Sequence, residues 1–244
     1  MFSARERDRV RDELIAAARA DARVTGAALV GSAAVGREDR WSDIDLALCV
    51  NADRAQAVAD WSERMYRDHA AIDHLDVTRG QTLYRVFLLD NTLQVDLSFW
   101  SPDQFGATGP SFRVLFGTAA EPSPAPALAA DDLIGLGWLY ALHARSGIAR
   151  GRIWQAEYMI SGARDHVLAL ACLRHDLPAV QGRGMDDLPP EVTATIAPAL
   201  VGALDTTELH RAFAAVVKAL LAEAAQVDTA RAARLAAPLR SLAG

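Results

Sequence analysis

Lysine is nearly missing from this chain. Lys218 is the one lysine among 25 Lys and Arg residues, set against 31 Asp and Glu, and the formal net charge is −6. An acidic balance argues against an extended nucleic-acid surface, because such binding rests on neutralising many phosphates. It suits a small cationic substrate better, through weak long-range steering. The preference for Arg, with abundant Ala, reads as genome composition rather than function. Cysteine is scarce too: Cys49 falls in an expected strand and Cys172 in an expected helix. Both read as small buried hydrophobes, which argues against a disulfide framework. No zinc-type Cys/His spacing, Walker-type lysine or Gly-x-Gly-x-x-Gly run occurs. No apolar run nears the ~20 residues a membrane span requires. The opening Met-Phe-Ser-Ala-Arg-Glu-Arg-Asp-Arg lacks the apolar core of a signal peptide. A cytoplasmic protein without a membrane partner is expected.

What is present is enough apolar content for a core. At 244 residues and 51% hydrophobic, the chain can fold as one or two globular domains. Residues 5–22 carry Val10, Leu14, Ile15 and Ala18 at helical spacing among charges, an amphipathic opening helix. Strands are expected at Val24–Val30, Ile44–Val50, 74–78, 82–89 and 92–100, with a surface helix over 53–71. Pro102, Gly106, Gly109 and Pro110 then break the pattern, and Glu121-Pro-Ser-Pro-Ala-Pro126 reads as a stiff connector. Beyond it helices are expected over 129–147, 151–176, 190–203, 206–226 and 228–242. The expected fold class is α+β: a first domain over residues 1–120 with a mixed sheet flanked by helices, then a helical bundle over 127–244.

One stretch concentrates chemistry. Gly31-Ser32-Ala33-Ala34-Val35-Gly36 follows the first strand, and Ser42-Asp43-Ile44-Asp45 opens the second. A helix starting at Ser32, with its hydroxyl as N-cap, would point backbone N–H groups at a phosphate. Asp43 and Asp45 lie two apart on a strand and share a face. In Thr92–Trp100, Val95, Leu97 and Phe99 alternate with Gln94, Asp96 and Ser98, so Asp96 stands on the polar face of a half-buried strand. If that strand lies beside the Asp43 strand, three carboxylates converge. Crowded acids repel, and a divalent cation such as Mg²⁺ offsets that with hard oxygen ligands. Two such ions about 3.5–4 Å apart clamp the attacking and leaving oxygens of a phosphoryl transfer. Ser42 reads either as a group orienting Asp43 or a metal-bound water, or as an ordinary strand-entry residue. Asp73, His74 and Asp76 read as solvated or structural groups.

A second polar cluster lies after Gly151. Glu157, Ser161, Arg164 and Asp165 share one helix face. That face is either solvated, with Glu157 and Arg164 interacting across two turns, or turned to a catalytic centre with Arg164 near a triphosphate and Glu157 near an acceptor hydroxyl.

Gly-Ser, a spacer of about ten residues, Asp-x-Asp and a distant strand Asp together resemble the nucleotidyltransferase superfamily of the DNA polymerase β type. Gly31, Ser32, Asp43, Asp45 and Asp96 carry the resemblance, over roughly residues 20–100. Length and the helical second half are similar to the antibiotic nucleotidyltransferases. The resemblance implies two Mg²⁺ ions, an NTP co-substrate (ATP), and transfer of AMP to a hydroxyl of an aminoglycoside- or lincosamide-like molecule in the cleft between the domains. It implies a catalytic role for residues 1–120 and substrate binding for 127–244. It also implies a general base, either Glu157 from the helical domain or Asp96. One departure is visible: many small members have Ala-Arg-Gly where this chain has Ala34-Val35-Gly36, so a basic phosphate contact is missing unless Arg37 or Arg40 supplies it. The alternatives are a toxin-linked enzyme acting on a protein or an RNA end, and an idle nucleotide-binding module.

Overall fold

The computed structural model describes residues 1–51, 53–123 and 128–243. The chain falls into two compact units, Met1–Pro126 and Ala127–Gly244. The connector expected at 121–126 lies partly outside the described residues.

The first unit is built on a six-stranded sheet. Its strands are β1 (Val24–Val30), β2 (Ile44–Val50), β3 (Ala71–Arg79), β4 (Thr82–Leu89), β5 (Gln94–Trp100) and β6 (Phe112–Phe116), in the spatial order β3-β4-β5-β2-β1-β6. β2 and β5 run parallel, while the other neighbours pair antiparallel, so the sheet is mixed. β2 sits inside the sheet, and every one of its residues except Asp45 is buried. Burial on both faces explains its nearly unbroken apolar run.

Three helices complete this unit: α1 (Ala4–Ala20), α2 (Gly31–Ala34) and α3 (Arg54–Asp68). Leu14 and Ala18 of α1 and Trp61 and Met65 of α3 join Leu46, Leu48, Val95, Leu97 and Phe99 in the main core. The opposite sheet face carries a smaller cluster around Ala28, Ala47, Trp100 and Phe105. Cys49 lies in it, and both Cys49 and Cys172 are buried and unbridged. α1 opens on a capping box, with Ser3 Oγ accepting from Glu6 N–H and the Glu6 carboxylate accepting from Ser3 N–H. β6 lies outside the expected strands. It is five residues long at the sheet edge beside β1, none of its residues is fully buried, and its alternation is therefore faint.

The second unit is helical: α4 (Ala130–Ala149), α5 (Ile153–Arg174), α6 (Pro190–Ile196), α7 (Thr206–Val227) and α8 (Thr229–Leu242). The single helix expected over 190–203 ends at Ile196 instead. Pro198 has no N–H for the α ladder, and Ala197–Ala199 tightens into a 3₁₀ turn. Asp205 and Asp228 cap α7 and α8 by accepting from the N–H groups of Glu208 and Arg231. Glu223, buried on α7, is held by two nitrogens of Arg174 on α5, each at 3.1 Å. Among the described residues no helix is long and apolar enough to cross a membrane.

Close helix approach in this unit depends on small residues. A Cβ at Gly162 would sit 2.4 Å from Tyr140 Cε1. Gly162→Ala gains about 1 kcal/mol of helix propensity but meets an overpacking cost of about 1–3 kcal/mol, because a ring cannot fold aside like a chain end. A net loss of about 1 kcal/mol is expected, read as a lower denaturant midpoint. A raised midpoint would show that the Tyr140 ring yields freely.

Candidate functional site

Parallel pairing of β2 and β5 brings the acids together. Asp45 stands directly beside Asp96, with Ile44 beside Val95 and Leu46 beside Leu97. Those four apolar neighbours are buried in the main core, so Asp45 and Asp96 project from the opposite face. Asp43 immediately precedes β2 and joins them. Oxygens of Asp43, Asp45 and Asp96 all lie within 4.8 Å of one another, each residue partly buried.

Gln94 ties two of the acids. Its Nε2 donates to Asp96 Oδ1 at 2.9 Å and to Asp43 Oδ2 at 3.2 Å. Sequence reasoning placed Gln94 on this face without a role; its place two residues before Asp96 on a strand was the one signal available. Burial pushes the Asp96 carboxyl up to about 6, the Gln94 hydrogen bond opposes that, and the nearby Asp43 charge adds to it.

The glycine turn abuts the same acids. Gly31 has φ +61°, and a Cβ there would lie 2.2 Å from Asp45 Oδ2. Glycine is thus required both by backbone conformation and by contact with Asp45. α2 begins at Gly31, one residue before the expected start, and Val30 occupies the cap position with no side-chain hydrogen bond. Ser32 is therefore inside the turn and does not cap it, because the positive φ of Gly31 starts the turn early. A single turn has little macrodipole, so anion binding there rests on individual N–H groups. Arg113 of β6 donates to the Ala33 carbonyl at 3.0 Å and holds the turn from the side.

The loop from α2 to Asp43 is anchored by α1. Buried Arg7 donates to the Asp39 carbonyl, and Arg11 Nη1 reaches both Glu38 oxygens at 2.6 and 2.7 Å. Asp39 then organises the entry to β2. Its carboxylate accepts from Trp41 N–H at 2.8 Å and from Ser42 Oγ at 3.2 Å, while Ser42 Oγ accepts from Asp39 N–H at 2.9 Å. Arg40 lies over the Trp41 ring, 4.1 Å from its centroid. Arg37 closes the turn through its backbone N–H to the Ser32 carbonyl. Away from this cluster, Asp76 takes two 2.6 Å bonds from Arg85, and His74 pairs with the Tyr66 hydroxyl.

In the second unit the polar face of α5 is a hydrogen-bonded chain. Ser161 Oγ donates to Glu157 Oε1 at 2.6 Å, Arg164 Nη1 donates to Ser161 Oγ at 3.3 Å, and Arg164 Nη2 meets Asp165 at 2.7 Å. Glu157 and Arg164 thus interact across two turns through Ser161.

Three carboxylates offering hard oxygens within 4.8 Å suit a divalent cation such as Mg²⁺ better than a soft metal.

The raised Asp96 carboxyl has a readable consequence. Between its ordinary value of 3.8 and about 6, folded Asp96 keeps a proton that the unfolded chain releases, so its contribution lowers stability as pH rises through that window. Carbon-13 NMR of the metal-free protein should show Asp96 titrating near pH 6. Asp43→Asn should move that titration down by removing a like charge. Titration of Asp96 near about 4 would contradict its burial.

No family model and no curated protein sequence matches the chain. Among solved structures it matches the crystal structure of an aminoglycoside 6-adenyltransferase from Bacillus subtilis, at 12% identity over 97% of this chain and 98% of that one, with a TM-score of 0.42.

Proposed function

We propose that the protein is a metal-dependent nucleotidyltransferase. It transfers a nucleoside monophosphate, AMP from ATP, to a hydroxyl of a small molecule of the aminoglycoside or lincosamide kind and releases pyrophosphate. The observation that carries this reading is the three-carboxylate cluster on one sheet face with the Gly31 turn against Asp45.

Asp43, Asp45 and Asp96 would hold two Mg²⁺ ions. When bound, such ions supply charge neutralisation at the phosphates and a clamp on the entering and leaving oxygens. The remaining work falls to this chain. Gly31 lets the backbone approach a phosphate without a side chain in the way, and Ser32 offers an N–H and a hydroxyl beside it. Ser42 and Asp39 fix the entry to β2 and thereby the direction of Asp43. Gln94 holds Asp96 and Asp43 in place. Arg164 is assigned to the triphosphate. Phosphoryl transfer asks mainly for positioning and charge stabilisation, which this set supplies. Two carboxylates are candidates for the base that takes the acceptor proton: Glu157, already hydrogen-bonded by Ser161, and Asp96.

The test is a screen of labelled NTPs against aminoglycosides, lincosamides and other polyhydroxylated molecules, following pyrophosphate release. Asp43→Asn and Asp45→Asn should abolish release at saturating Mg²⁺, with circular dichroism used to check that each variant is folded. Activity within about tenfold of wild type in either variant would sink the metal assignment.

The two candidate bases separate in a second experiment. If Glu157 is the base, Glu157→Gln lowers turnover by about 10²–10⁴ and leaves nucleotide and Mg²⁺ affinity unchanged. Asp96→Asn should lower turnover and Mg²⁺ affinity together, since it removes a ligand. Full turnover in Glu157→Gln would return the base to Asp96.

A further inference from the structure

The register of the sheet sets side chains in rows across its face. One row runs Leu75 on β3, Val86 on β4, Asp96 on β5 and Asp45 on β2. Directly paired residues share a face, so Leu75 and Val86 stand on the side of the carboxylates. The neighbouring rows add Leu88 beside Gln94 and Val77 beside Tyr84. Strands lie about 4.8 Å apart. The apolar surface therefore begins one strand from Asp96 and reaches roughly 10 Å from it.

This surface is open. Leu75 is 63% and Leu88 44% exposed. A sheet face in water ordinarily alternates to polar residues, yet Leu75, Val77, Val86 and Leu88 occupy those positions. Scattered exposed leucines carry no message, but a contiguous apolar patch beside a polar centre marks a binding surface. At its β3 edge stand Asp73, paired with Leu88 across the strands, and Arg79, which lies over the Tyr84 ring 5.7 Å from its centroid.

We infer that this shelf seats the acceptor, and that the acceptor carries an apolar face beside its reacting hydroxyl. The inference rests on the nucleotidyl-transfer reading. The Gly31 turn touches Asp45, at the end of the acid row away from β4. With the triphosphate at that turn, pyrophosphate departs toward it. An in-line attack then brings the acceptor oxygen from the opposite side, past Asp96. The body of the acceptor extends over Val86, Leu88 and Leu75. Aliphatic side chains there gain about 25 cal/mol per Å² of carbon surface they cover. They offer nothing to an ammonium group stripped of water. An amphiphilic sugar of the lincosamide kind fits; a polycationic aminoglycoside does not.

Methyl-labelled Leu and Val NMR tests this. Mg²⁺ with a non-hydrolysable ATP analogue should shift backbone signals of Gly31 and Ser32 and leave the Leu75 and Leu88 methyls in place. Lincomycin should then shift the Leu75, Val86 and Leu88 methyls, and kanamycin should not. The exposed-site double variant Leu75→Gln/Leu88→Gln should weaken lincomycin binding about tenfold with nucleotide affinity unchanged. Shelf methyls that respond to the nucleotide alone, to kanamycin, or not to lincomycin overturn the assignment. An analogue that fails to shift Gly31 and Ser32 overturns the nucleotidyl-transfer reading itself, and that arm contains no acceptor.

Discussion

Three carboxylates held on one sheet face repel one another, and the parallel register of β2 and β5 gives Asp45 and Asp96 no room to separate. At about 5 Å and an effective dielectric of about 20, each ionised pair costs on the order of 3 kcal/mol before further screening by water. A register slip of one residue would relieve this, but it would turn Asp96 inward and carry Leu97 and Phe99 out to solvent. Each such large apolar side chain is worth roughly 1.5–3 kcal/mol when buried. Val95, Leu97 and Phe99 on β5 and Ile44, Leu46 and Leu48 on β2 are all buried in one core. Hydrophobic register therefore outweighs electrostatic repulsion, and the site keeps its tension. Part is relieved locally, by the Gln94 amide and by the proton Asp96 retains up to about pH 6.

The same constraint explains the surroundings of the cluster. Asp45 can lie against the turn only because Gly31 has no side chain to meet it. Asp43 lies outside the ladder, so its direction depends on the loop before it. That loop is not left to itself: Arg7 and Arg11 of α1 hold Asp39 and Glu38, and Asp39 holds Trp41 and Ser42. Asp96 is fixed by the strand and Asp43 by this clasp, so the two differ in the kind of support they receive. A change on α1 would reach the site through Asp43 first.

Strand periods made much of this legible in the sequence. β1 and β2 are bounded by a glycine turn and an acidic pair, and their apolar runs set their limits. The alternation of Thr92–Trp100 fixed the face of Asp96 and hence the convergence once β5 lay beside β2. What stayed hidden was contact between residues far apart in the chain. The Arg7–Asp39 link spans 32 residues and Arg113–Ala33 spans 80, and no local pattern carries such information. β6 was invisible because an edge strand without a buried face has little alternation to show. Gln94 was visible as a polar strand residue, but its bonds to two acids depend on the side-chain positions of both strands. The break of α6 was legible in principle, since Pro198 lies inside the stretch read as helix, and apolar content there masked it.

The sheet is packed asymmetrically. α1 and α3 contribute to the core on one face. On the other, the cluster of Ala28, Ala47, Trp100 and Phe105 involves β1, β2 and β5, and the face over β3 and β4 keeps exposed Leu75 and Leu88. An open apolar face ending in an edge strand is a hazard, because a second chain can add to the edge. β3 answers with charge: Asp73, Asp76 and Arg79 interrupt its apolar residues, and Asp76 is locked to Arg85. Charged side chains on an edge strand discourage pairing with another sheet while leaving the face itself open. The exposed Leu75 and Leu88 face is thereby shielded from pairing with another sheet.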